Sequence, residues 1–188
     1  NTNNFYISNS DGDNALHLAI KSQNYELFKL ISEYFNDTKL RNKNGESYLH
    51  LIIKLKCYDM LEFFLNKISN VQQDNKIVGI SESDVIQILN YVEFKYNFTI
   101  LHYIAIGLDY MSLKILSDFK MINLLDGNIQ DNSGNIFYHY FITNIINNKS
   151  LKGREIIAGG SINIPIDINA LDTTKSINKN GKYIKNPI

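Results

Sequence analysis

The sequence predicts an all-α chain, a solenoid of stacked helix–turn–helix units with an inserted loop and helix near its middle. Three observations predict it. First, all four histidines of the 188-residue chain share one context: Gly12-Asp-Asn-Ala-Leu-His17, Gly45-Glu-Ser-Tyr-Leu-His50, Asn97-Phe-Thr-Ile-Leu-His102 and Gly134-Asn-Ile-Phe-Tyr-His139. Second, each histidine opens an apolar pattern of helical period. Third, a second helical pattern follows most of these after a short polar break. His17 and His50 stand 33 residues apart, His102 and His139 stand 37 apart, and the middle gap is 52. A period of this size means units that bury their apolar faces only by stacking on neighbours.

The elements follow in order. Leu16, Ala19 and Ile20 lie at i, i+3, i+4, which puts them on one helix face over 15–22. Leu27, Leu30 and Ile31 form the stripe of a second helix over 25–34. Leu49, Ile52 and Ile53 repeat the first helix over 48–56, and Met60, Leu61, Phe64 and Leu65 the second over 58–67. Ser81-Glu-Ser-Asp84 reads as a helix start, continued by Val85, Ile86, Ile88 and Leu89 over 84–92. Leu101, Ile104 and Ala105 open the third unit over 100–107, and Leu113 and Leu116 mark its partner over 111–118. Tyr138, Phe141 and Ile142 open the fourth, whose helix pair is expected between 137 and 158.

Asn14, Ser47 and Thr99 stand three residues before a histidine and can cap the helix there; Ile136 cannot. Asp11-Gly12, Asn44-Gly45 and Ser133-Gly134 are turn dipeptides, and Asn97 replaces glycine in the third unit. The units therefore run over 9–41, 42–70, 94–128 and 131–162, with the insertion at 70–92 and a partial end unit at 163–188. A degenerate repeat without its histidine is the alternative reading of the insertion. Ala158-Gly159-Gly160 breaks the helical pattern, Ser161 to Ala170 alternates like extended chain, and Asp172 to Ile188 is polar and expected to be loosely ordered.

Composition narrows the function. Nineteen basic and nineteen acidic residues balance, so no global field draws nucleic acid or anionic membrane. No apolar stretch approaches the roughly 18–20 residues that span a bilayer. The opening Asn1-Thr-Asn-Asn resembles no signal peptide and lacks methionine, as a mature or excised fragment would. Cys57 is the single cysteine, which suits a reducing compartment and an intracellular, cytoplasmic location, inside a host cell if the source is a microbe or virus.

No catalytic constellation stands out. Cys57 carries no protease signature, Ser161 and Asp167 no nucleophile elbow, and Gly159-Gly160 no phosphate loop. Histidines one unit apart form a row, whereas zinc needs three or four converging ligands. Neither enzyme chemistry nor a cofactor nor a metal is expected.

Ala15-Leu-His-Leu-Ala-Ile20 with Asn24-Tyr-Glu-Leu-Phe-Lys-Leu-Ile31, and the matching stretch Asn42 to Leu65, resemble the ankyrin repeat family, whose helix start is Thr-Pro-Leu-His. Ile129-Gln-Asp-Asn-Ser-Gly134 resembles a repeat-opening turn, and Ile168-Asn-Ala-Leu-Asp172 the same turn without its Leu-His. The resemblance covers residues 5 to 172; no unit keeps the family proline before Leu-His.

The resemblance implies that His17, His50, His102 and His139 bridge neighbouring turns by hydrogen bonds. It implies a non-catalytic protein-binding module whose concave surface is built from turn tips and outward first-helix residues. On matching positions these are Ser10, Asp11, Asp13, Lys21 and Ser22, then Lys43, Asn44, Glu46, Lys54 and Leu55. The third unit offers Tyr96, Phe98, Ile106 and Gly107, and the fourth Asn132, Ser133, Asn135, Thr143 and Asn144. Tyr96 and Phe98 are the preferred anchors, being large rings at a turn. The partner is another protein. Two further readings stand beside this one: the substrate-targeting portion of a larger enzyme or host-directed microbial or viral effector, and a scaffold that self-associates through its unfinished end unit.

Overall fold

The computed structural model describes residues 6–35, 37–69, 80–148, 175–177 and 183–185. Helices α1 (Ala15–Lys21) and α2 (Tyr25–Ser32) form the first pair, and α3 (Tyr48–Lys54) and α4 (Tyr58–Ser69) the second. Helix α5 (Glu82–Leu89) stands alone, followed by the pair α6 (Ile100–Gly107) and α7 (Tyr110–Asp118). A 3-10 turn at Ile122–Leu124 leads to α8 (Phe137–Asn148).

The termini of these helices follow from their capping residues. The Asn14 side chain accepts from the N–H groups of Leu16 and His17, Ser47 from that of His50, Ser81 from that of Asp84 and Asp109 from that of Ser112. The turns before the first helices need a left-handed residue, and Gly12, Gly45 and Gly134 supply it at φ of 79°, 77° and 78°, with Asn97 at 61°. Helix α5 starts two residues before its expected position and stops at Leu89. Asn90 ends it, its amide donating to the carbonyls of Ile86 (2.9 Å) and Leu124 (2.8 Å).

First helices stack on first helices (α1 on α3, α3 on α6, α6 on α8), and second helices stack likewise (α2 on α4, α4 on α7). The long middle gap therefore does not separate the second and third pairs, which are in direct contact. The apolar stripes of α1, α3, α4 and α6 face between the layers, where Ile20, Leu49, Ile52, Leu61, Ile100 and Ala105 belong to one buried cluster; in α2 the expected stripe is turned, Phe28 facing inward while Leu27 and Leu30 are exposed. Each fully buried Leu or Ile contributes roughly 1.5–3 kcal/mol. Truncating Leu49, at the centre of the stack, should cost about 2–5 kcal/mol.

The C-terminal stretch expected to be loosely ordered contains an antiparallel pair of strands, β1 (Lys175–Ile177) and β2 (Tyr183–Lys185), with Ser176 opposite Ile184. Asn180-Gly181, a turn-forming dipeptide, lies between them in sequence. The second helix expected in the fourth unit, the extended stretch 161–170 and the loop 70–79 lie outside the described residues.

Candidate functional site

The histidines organise the turns. In the first unit His17 Nδ1 lies 2.9 Å from Asn14 Oδ1, an oxygen to which it can only donate. In the other three the ring Nδ1 accepts the backbone N–H of the residue that precedes its helix: Ser47 (3.4 Å), Thr99 (3.1 Å) and Ile136 (3.1 Å). Ile136, which lacks a capping side chain, is served this way by His139. An accepting Nδ1 leaves the proton on Nε2. From there His50 donates to the carbonyl of Phe98 and His102 to that of Asn135, both at 3.1 Å. Each acceptor belongs to the next unit and stands immediately before its helix cap. Glu46 is the corresponding residue for His17; its carbonyl favours the charged form of the ring, but the buried Nε2 makes no hydrogen bond of ordinary length. Burial lowers the pKa of His17, His50 and His102, that of His50 to about 4. His50 and His102 are thus neutral struts between units.

A second ladder runs through the side chains that open each turn. Asn9 Oδ1 accepts from the N–H of Asp11 and Asp13, Asn42 Oδ1 from Asn44 and Glu46, and Asp131 Oδ1 from Ser133 and Asn135. In the third unit Glu93 does the same for Lys95, Tyr96 and Phe98. This turn holds one more residue than the others, and the extra methylene of glutamate spans it. The additional residue leaves Phe94 at the tip, with its ring packed over Gly45.

Backbone bonds then tie the tips together. Lys43 N donates to Asp11 O (2.9 Å), Phe94 N to Asn44 O (2.7 Å) and Asn132 N to Tyr96 O (3.0 Å). The result is one strip from Asp11 across Lys43, Asn44, Phe94 and Tyr96 to Asn132. Ser10, Asp11, Lys43, Asn44, Asn132 and Ser133 are exposed on it, as expected.

Four of the expected turn residues are placed differently, and the first-helix residues Leu55, Thr143 and Asn144 are half-buried. Asp13, Glu46 and Asn135 are buried, and Phe98 is half-buried. All four stand at the position four residues before a histidine, beneath the tip. The Asn42 amide donates to both Asp13 (3.0 Å) and Glu46 (2.9 Å), joining two units. Lys21 and Lys54 reach back to those same carboxylates, so they are paired within their own units. Asn135 donates to Asp131 at 3.1 Å. The Phe98 ring lies flat on His102 (centroids 5.2 Å, planes at 4°) and edge-on to Tyr140. Asn144 is half-buried and donates to the carbonyls of Ala105 and Ile106 at the end of α6.

Sequence reading missed Phe94, which is 62% exposed, and the cation beneath it. The Arg41 guanidinium sits 4.6 Å from the Tyr91 ring centroid and 5.2 Å from that of Phe94. The signal was the run Tyr91-Val-Glu-Phe-Lys-Tyr-Asn-Phe98, four aromatics in eight residues of turn.

Among the described residues no three His, Cys, Asp or Glu side chains gather as a metal would require, and no helix is long and apolar enough to cross a membrane. Cys57 is half-buried, and burial pushes its thiol pKa up, away from a reactive thiolate.

A search of curated proteins finds no match to this chain. The family model for ankyrin repeats (three copies) matches residues 1–75. Repeats of that family are in general protein–protein interaction modules. Residues 1–75 thus match the family model for ankyrin repeats, and the pair α6–α7 and helix α8 continue the same all-helical solenoid.

Proposed function

We propose that this chain is a non-catalytic module that binds a partner protein through its strip of stacked turn tips, with Phe94 and Tyr96 as anchors. The observation that carries the reading is the strip itself. Three inter-unit backbone bonds make four separate turns into one surface, and two large rings are exposed on it. Phe94 packs over a glycine and a guanidinium at the rim, where core demand is low. Aromatic side chains of this kind gain contact area at little entropic cost. The anchor role expected of Phe98 passes to Phe94, because Phe98 supports the stack from beneath. We place the binding in a reducing, intracellular setting, on the ground of the single cysteine.

The test begins with a cross-linked pull-down from cell lysate that isolates a partner. Its affinity is then compared for the parent chain and for the Phe94→Ser/Tyr96→Ala variant. Affinity should fall by at least about 2 kcal/mol if both rings are hot spots. Melting temperature should hardly move. Unchanged affinity would place the contact on another surface.

A further inference from the structure

The chain as a whole is neutral, but the middle of the turn-tip strip is not. Three cations stand beside its exposed rings. The Arg41 guanidinium lies against the rings of Tyr91 and Phe94, and the Lys95 amine stands 4.7 Å from the centre of the Tyr96 ring. Lys43 precedes Asn44, whose carbonyl receives the Phe94 N–H. All three cations are exposed. Among the described residues none of them forms an ion pair, whereas Lys21, Lys39 and Lys54 do.

The acids of the same turns are occupied from within. Glu93, next to Phe94, is buried, and its carboxylate accepts from the N–H groups of Lys95, Tyr96 and Phe98. Glu46 is buried and held by Asn42 and Lys54, and Asp131 is buried and held by Asn135 and Tyr140. These carboxylates lie below the tips with donors of their own turns, so an approaching partner meets the cations first. Arg41 is also fixed in place. Two rings hold its guanidinium, which reduces the side-chain freedom a partner must remove. Its planar fork makes no hydrogen bond among the described residues, and a fork of that shape matches a carboxylate in bidentate fashion.

We propose that the partner presents an acidic segment to the middle of the strip, its Asp or Glu carboxylates meeting Arg41, Lys43 and Lys95 while its apolar side chains cover Phe94 and Tyr96. This rests on the turn-tip reading above and names the chemistry of the partner. The distribution of charge favours a peptide over nucleic acid. The cations occupy only the middle, with the exposed Asp11 toward one end and the uncharged Asn132 and Ser133 at the other. A phosphate backbone laid along the strip would need cations at regular steps and would meet Asp11. A short acidic segment needs the middle alone.

Selection of short random peptides displayed on phage, with the full 188-residue chain as bait, tests it. Enriched peptides should carry Asp or Glu beside apolar residues. A synthetic copy of one should bind the Arg41→Gln/Lys95→Gln variant at least about tenfold more weakly than the parent, and its amide analogue should bind the parent as weakly. Added salt should weaken the parent complex. Lys43→Gln/Lys95→Gln keeps the Arg41 ring contacts and serves should the first variant unfold, with the same direction of change. Lys29→Gln/Lys114→Gln removes equal charge from exposed positions on α2 and α7 and should bind normally. Enriched peptides that are neutral or basic overturn the proposal, as does a selection that enriches nothing or a folded strip variant that binds unchanged. Displacement of the peptide by an equal concentration of oligouridine would assign the cations to nucleic acid and overturn it too. Phe94→Ser/Tyr96→Ala separates the two readings. Neutral peptides that lose affinity for this variant would leave the turn-tip reading standing and remove only the acidic partner; acidic peptides that bind it unchanged would remove both.

Discussion

The Nε2–H of His50 donates to the carbonyl oxygen of Phe98 at 3.1 Å, across 48 residues of sequence. That bond closes the longest gap between histidine motifs. It holds the second and third units in the same register that His102 and Asn135 hold between the third and fourth. Its partner atom Nδ1 meanwhile caps α3 through Ser47. One buried ring therefore fixes a helix start and a unit-to-unit contact at once.

Replacing His50 by alanine removes both bonds and leaves the Phe98 carbonyl and the Ser47 N–H without this partner. The expected loss is about 1–3 kcal/mol, the cost of leaving a buried polar group unsatisfied. Urea denaturation followed by circular dichroism would measure it. A change below about 0.5 kcal/mol, the range of inert surface substitutions, would refute the strut assignment.

Stability should fall in mild acid. The buried ring of His50 has its pKa lowered from 6.5 to about 4, and His17 and His102 are lowered by burial as well. In the unfolded chain these rings take up a proton near pH 6.5, while in the fold they stay neutral. The stabilisation is therefore complete above pH 6.5 and is lost as pH falls toward 4. His50 alone accounts for roughly 3 kcal/mol over that window. Carboxylates act lower. Burial opposes ionisation of Glu46, but Asn42 and Lys54 hold its pKa below the usual value. Its contribution is lost only below that range. Melting temperature should thus drop between about pH 7 and pH 5, and a flat profile there would contradict the neutral-strut reading.

Phe98 and Phe94 should respond oppositely. Phe98→Ala removes a ring stacked on His102 and set against Tyr103 and Tyr140. It should cost about 1–3 kcal/mol of stability, less than a fully buried phenylalanine because the ring is half-buried. Phe94→Ser should stay within about 1 kcal/mol of the parent. Thermal melts of the two variants would separate them, and equal destabilisation would show that Phe94 belongs to the core.

Gly12→Ala should be costly for a surface turn. Its φ is +79°, and an added Cβ would lie 2.6 Å from the Lys43 nitrogen, which donates to Asp11. Backbone, not a movable side chain, stands in the way. A loss above about 1 kcal/mol is expected from strain alone. Amide hydrogen exchange at Lys43 should rise with it; protection equal to the parent's would show that the turn relaxes without breaking the strip.

The sequence by itself determined what depends on neighbours along the chain. Helix period placed α1 to α4, α6 and α7 to within a few residues. Asn14, Ser47 and Ser81 marked helix starts because capping is local chemistry. Gly12, Gly45, Asn97 and Gly134 marked turns because few residues tolerate positive φ. The tertiary structure decided which turn residues meet a partner. Asp13, Glu46 and Asn135 are polar and lie in turns, so sequence reading put them outside. Stacking instead buries them: the Asn42 amide, Lys21 and Lys54 pair with the carboxylates of Asp13 and Glu46, and the Asn135 amide donates to Asp131. Phe98 went beneath the tip for the same positional reason, and one extra residue between Glu93 and Thr99 left Phe94 above it. Exposure at a repeat turn is set by the adjacent unit, tens of residues away, and no local pattern carries that distance.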